Sequence, residues 1–194
     1  MLHPKVVEEL YSVRFRNSGF KRTPVLYPAA EKSFKRFLIN TIGHNVFVMS
    51  TALGLDVYYK STRSHADFIK KNLWLFKDAS SLEDSDLQVE EQEGEAVLKY
   101  LNTVVDTLIQ HPQLFLSCCK KFLQHYKDFN TKTRLTQLLY STFESHLQDL
   151  ITDNRTPHAA KIKKLLLESE LSHYTILDNL TGLSSQYTHP VRLN

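Results

Sequence analysis

The chain has 194 residues, 42% hydrophobic and 23% charged, with five glycines, two cysteines and a net charge of +3. That length makes one compact domain the default, with two small ones as the other option, and it suffices for a substantial core. Five glycines are few for a dinucleotide-binding or other loop-rich α/β fold, and no apolar run approaches the roughly twenty residues of a membrane span.

In chain order, Pro4–Val13 is a short helix candidate, with Val6, Val7, Leu10 and Val13 on one face. The stretch 14–27 mixes Arg14, Arg16, Lys21 and Arg22 with Phe15 and Phe20 around Gly19 and reads as a loop or extended arm. Pro28 opens a helix, because the first helical position needs no N–H donor. Phe34, Phe37, Leu38 and Ile42 fall on one side of it and Lys32, Lys35 and Arg36 largely on the other. Gly43 supplies its left-handed cap.

The apolar stretch 44–59 reads as a helix buried on most faces, through Val46, Phe47, Met49, Ala52, Leu53 and Val57. Phe47-Val48-Met49 also fits a buried strand, which periodicity does not separate from helix over so short a run. Gly54 counts against helix by about 1 kcal/mol. The helix is preferred because the surroundings are helical and no second strand offers itself as a partner. Ser61 or Thr62 caps the next helix, with Phe68, Ile69, Leu73 and Phe76 inward. Trp74 sits in Leu73-Trp74-Leu75-Phe76, too dense an apolar run for one face, and is assigned to an interface or to a place under the following acidic segment.

Residues 78–93 are acidic, serine-containing and poor in apolar side chains, and read as an exposed loop. Three amphipathic helices follow. The first, 95–110, carries Val97, Leu101, Val104, Val105 and Leu108 at steps of three and four. The second starts at Pro112 and carries Phe115, Cys118, Cys119, Phe122, Leu123 and Tyr126. The third is capped by Asn130 or Thr131 and runs to Ile151. Thr156-Pro157 begins a further helix to about Leu171, and 172–180 is a last short one before an irregular tail.

This pattern predicts an all-α protein, a bundle of seven or eight helices, with a short HEAT-like helical-repeat array as the alternative. Its organisation is a basic helical lobe at 1–77, an acidic linker or loop at 78–94, a second helical lobe at 95–180 and a tail at 181–194, the lobes being free to pack as one domain. Charge is segregated accordingly: net +8 over 1–77, −8 over 78–98 and +3 over the remainder.

No catalytic residues, metal ligands or cofactor site emerge. The nine histidines include no pair three or four apart, Gly-x-Ser-x-Gly is absent, and there is no glycine-rich phosphate loop with its lysine. The adjacent Cys118 and Cys119 cannot meet disulfide geometry within one helix. They fit a reducing compartment, and with no apolar block before Arg14 the expectation is an intracellular protein, cytoplasmic or nuclear.

The one feature with a functional reading is the basic segment. Arg14, Arg16, Lys21, Arg22, Lys32, Lys35 and Arg36 suit an anionic partner, and Phe15, Phe20, Tyr27 and Trp74 suit a protein interface. The expectation is a non-catalytic helical interaction module or accessory subunit that binds a protein. Nucleic-acid binding through the same segment is the alternative, since cations neutralise phosphates while rings stack on bases. An anionic lipid surface has the same chemistry. A helical enzyme with dispersed active-site residues is the third reading.

Overall fold

The structure is a computed structural model that describes residues 9–17, 24–77, 87–127 and 133–169. At its centre is a four-stranded antiparallel sheet, which overturns the all-α expectation, the helical bundle and the HEAT-like array alike. The elements β1 (Leu10–Asn17), α1 (Pro28–Ile42), β2 (Val46–Thr51), β3 (Gly54–Lys60), α2 (Ala66–Leu73), a 3₁₀ turn (Trp74–Phe76) and β4 (Leu87–Glu93) come first. They are followed by α3 (Glu95–Ile109), α4 (Pro112–Lys127), α5 (Arg134–Thr152) and a helix α6 over 159–169.

The strand order is β2-β3-β1-β4 and every neighbouring pair is antiparallel. Consequently β1 runs parallel to β2, and β3 parallel to β4. Each parallel pair is joined by a helix that crosses the strand between them, which is the split β-α-β, or ferredoxin-like, connection pattern. Right-handed crossovers place both helices on one face. The packing agrees: Phe34 and Leu38 of α1 and Ala66, Ile69 and Leu73 of α2 share a core with Val13, Phe15, Val48, Leu55 and Val57. On the opposite face Leu10, Phe47, Met49 and Tyr58 share a second core with α3 to α6. The sheet is thus the middle of three layers.

That layering explains why the strands look helical in sequence. A half-buried strand alternates apolar and polar residues, but a strand covered on both faces reads as a continuous apolar run. Residues 46–50 are buried without exception. Strand β1, on the far side of β3, carries Arg14 and Arg16, which gave it the look of an arm, and only residues 9–13 of the expected 4–13 helix are described; 10–13 are strand. The second half of the acidic segment, Leu87–Glu93, is an edge strand, while 78–86 lies outside the described residues.

Helices α1 and α4 begin at the expected prolines, α1 ends at the expected glycine, and the last described helix starts at 159, two residues beyond the expected Pro157. Pro28 and Pro112 occupy first helical positions, and Gly43 closes α1 with φ of 103°. The hydroxyl of Thr133 caps α5 by accepting from Thr136 N at 3.2 Å; the expected caps Asn130 and Thr131 lie outside the described residues. Helix α2 starts at Ala66 and not at Ser61 or Thr62, with Ser64 Oγ accepting from Ala66 N at 3.2 Å. The expected 172–180 helix and the tail also lie outside the described residues.

Between β2 and β3 the turn is only Ala52-Leu53, steadied by Thr51 Oγ1 accepting from Leu53 N at 3.1 Å. Gly54 opens β3 with φ of +147°, and a Cβ there would overlap the carbonyl oxygen of Phe15 in β1. We expect Gly54→Ala to lower unfolding free energy by about 2 kcal/mol, from strained backbone plus that overlap. Gly43, also at positive φ but with nothing within 4 Å, is the control; its alanine variant should cost about 1 kcal/mol. Equal urea midpoints for the two variants would show that the approach of β1 does not set the requirement at Gly54.

Candidate partner-binding surface and the buried ion network

Arg14 is 3% exposed and Asp56 2%, side by side on neighbouring strands in the face covered by α3 to α6. Arg14 Nε lies 3.4 Å from Asp56 Oδ1. Arg14 Nη1 donates to the Tyr100 hydroxyl of α3 at 3.0 Å, and that hydroxyl donates to Glu90 of β4, which also pairs with Arg16. The guanidinium stands 5.3 Å from the Tyr100 ring centre. One chain of charge and hydrogen bonds therefore runs across β3, β1 and β4 and ties the sheet to α3.

Burial dominates the electrostatics here. It pushes the Asp56 carboxyl from 3.8 up to about 6 against the opposing pull of Arg14, while Asp56 Oδ2 has no hydrogen-bond partner among the described residues. Burial likewise pushes the Cys118 thiol up to about 12 and raises Cys119 and Tyr58 well above their usual range. Thiols held so firmly protonated are poor nucleophiles. Both cysteines are free and buried. His146 Nε2 lies 2.9 Å from Asp106 Oδ1, an interhelical tie between α5 and α3.

The residues proposed from sequence are dispersed by the fold. Arg14 is internal, and Arg16 is held by Glu90 at the sheet surface. Phe15 is 1% exposed beneath α1 and α2 and belongs to a core. Lys32 and Arg36 are exposed on α1, Lys35 is half-buried there, and Phe20, Lys21 and Arg22 lie outside the described residues. Tyr27, just before α1, is half-exposed.

Trp74 and Leu75 stand out: the turn after α2 leaves them 36% and 73% exposed. Beside them Phe76 packs on Phe34 and Phe37 at 5.2 and 5.5 Å between ring centres, and Phe37 stacks on Phe68 at 5.8 Å. Lys77 Nζ lies 4.8 Å over the Trp74 ring, and exposed Arg36 and Lys71 stand on the same two helices. The result is an aromatic ridge with an apolar tip on a basic layer.

The two sheet edges differ. At the β2 edge, buried Glu31 of α1 accepts from Ser50 N at 3.3 Å and binds Lys121 of α4 at 3.0 Å, so the outer helix layers meet around it. At the other edge β4 pairs with β1 alone among the described strands. Sequence reading missed Glu31, Asp56, Glu90 and Tyr100. Only Asp56 left a signal, as the one acid in the apolar stretch 44–59.

Among the described residues no group of three or more His, Cys, Asp or Glu is placed to hold a metal ion, and no helix is long and apolar enough to cross a membrane. Comparison of the chain with protein-family models, with curated proteins and with solved structures finds no match.

Proposed function

We propose that this protein is a non-catalytic interaction module, an accessory subunit that docks a protein partner through the Trp74–Leu75 turn. The observation that carries this reading is the exposure of those two side chains at the tip of an aromatic ridge. A large apolar side chain left in water beside a built aromatic cluster is the pattern of an interface anchor, and tryptophan is enriched among residues that dominate binding energy. Lys77 over the Trp74 ring, with exposed Arg36 and Lys71 on the two helices of that layer, favours an acidic partner surface and would speed its encounter.

The engagement of Arg14 and Arg16 with carboxylates supports the protein-partner reading over nucleic-acid binding, since those two cations are already neutralised within the chain. The test is quantitative co-purification from the native host with wild type and with Trp74→Ala/Leu75→Ser. The expected result is loss of a protein partner by more than about tenfold, because anchor residues of this type contribute about 2 kcal/mol or more. The variant's far-UV spectrum should match wild type. Unchanged recovery of every partner, or recovery abolished by nuclease, would overturn the reading.

A further inference from the structure

We propose that the outer edge of β4 binds an extended basic segment of a protein partner, which adds to the sheet as a fifth strand. The idea rests on the protein-partner reading above but uses neither Trp74 nor Leu75, so the two can fail separately. All seven residues from Leu87 to Glu93 pair with β1 on one side, and no described strand lies on the other. An antiparallel strand with one neighbour keeps alternate N–H and C=O groups pointing outward, and such an edge is a template for strand addition. The β2 edge, where Glu31 takes the Ser50 N–H, offers no comparable opening.

Side chains on β4 say what the added strand should carry. On the face shared with α2 the strand presents Leu87, Val89, Glu91 and Glu93 in alternation. Across the sheet, Glu93 is in register with Tyr11, and Tyr11 with Tyr59. The two tyrosine rings stack at 5.3 Å. These three residues, with Ser64 and Glu91, line a cavity of about 310 Å³ that opens beside the end of β4. A lysine or arginine opposite Glu93 would pair with an exposed carboxylate and lay its stem along the tyrosine faces, a contact that favours cations. Glu91 already holds Lys70 at 2.8 Å, which makes Glu93 the principal anchor. Apolar residues opposite Leu87 and Val89 complete the pattern: two apolar positions and two basic ones, at every second residue.

A second copy of this chain fits poorly. Antiparallel pairing of β4 with itself, centred on Glu90, sets Leu87 against Glu93 and Val89 against Glu91, while parallel pairing sets carboxylate against carboxylate. Acidic edge residues of this kind oppose indiscriminate self-association and leave a basic strand as the favoured occupant.

The test uses labelled peptides Val-Thr-Val-Thr-Lys-Thr-Lys and its reverse, for the two possible strand directions, titrated against the full chain by fluorescence anisotropy at low ionic strength. One direction is expected to bind and to slow hydrogen exchange of β4 amides. Glu93→Lys should weaken binding by about tenfold, an attractive cross-strand pair having become a repulsive one, and should favour the peptide with glutamate in place of lysine. N-methylation of alternate peptide amides should abolish binding. The proposal is overturned if neither direction binds, if the Glu93→Lys and N-methyl changes leave affinity unaltered, or if the chain instead dimerises through β4. If Trp74→Ala/Leu75→Ser loses the peptide, the peptide sits on the aromatic ridge; this proposal then fails while the protein-partner reading stands.

Discussion

Arg14→Leu is expected to lower the free energy of unfolding by about 3–5 kcal/mol at neutral pH, because it leaves Asp56 as a buried charge without its ion-pair partner. In the native chain that carboxylate is 2% exposed, and Arg14 is its nearest cation at 3.4 Å. The deficit should depend on pH with a definite sign. Burial already raises the Asp56 pKa from 3.8 to about 6 with Arg14 present. Removing Arg14 removes the larger of the two pulls that oppose burial, Arg16 supplying the smaller, so the carboxyl shifts further up in the folded variant. A carboxyl whose folded pKa lies above its unfolded value is penalised where it must ionise. The penalty is absent below the unfolded value, grows as pH rises through the window, and is full above the folded value. The gap between Arg14→Leu and wild type should therefore narrow as pH falls toward about 4. Arg14→Leu/Asp56→Val, which removes both charges, should recover most of the loss at neutral pH, since apolar replacement of a buried pair is often neutral. Urea midpoints across that pH range provide the check. A single variant within about 1 kcal/mol of wild type, or a gap independent of pH, would show that the pair is not desolvated in the way its burial implies.

The second large effect is expected at the seam between the sheet and the C-terminal helices. Phe122 of α4 is 1% exposed, its ring 5.4 Å from that of Phe47 in β2 and stacked at 4.2 Å on Phe143 of α5. Phe122→Ala removes the side chain that joins three elements, and such truncations cost about 3–5 kcal/mol. Leu114→Ala, on the same helix but 44% exposed, should change stability by no more than about 0.5 kcal/mol. The informative measurement follows unfolding by two probes at once. Trp74, the only tryptophan, reports on the α1/α2 layer, and far-UV circular dichroism reports mainly on the larger helical layer. Because the sheet is the shared wall of both cores, both transitions should move together to lower denaturant. If the Trp74 transition stays in place while the other moves, the layers unfold separately and the sheet does not couple them.

These two sites show how differently parts of the molecule were written into the sequence. Helices α3, α4 and α5 were legible because a helix closes its hydrogen bonds within four residues and its buried face repeats every three or four. Pro28, Gly43 and Pro112 mark boundaries by local backbone chemistry alone. Strands close their bonds with distant partners. Val13 pairs with Val57 on one side and Glu91 on the other, and no local pattern records either match. The double coverage of β2 and β3 removed the alternation that would have betrayed them. Charge misled in the same way. Arg14 reads as a solvated cation until Asp56 and Tyr100 arrive from elsewhere in the chain to bury it.

Local sequence alone was enough for helices α3 to α5, for the first crossover helix with its proline start and glycine stop, for the segregation of charge, and for the surplus apolar run at Trp74. Each of these depends on neighbours within a few residues. Long-range packing is what sets an antiparallel sheet between two cores, buries Arg14, leaves Leu75 exposed and makes β4 the last of the described strands at its side of the sheet. Those outcomes depend on which distant segments pair and which faces they cover, and pairing across the chain is a property no single stretch contains.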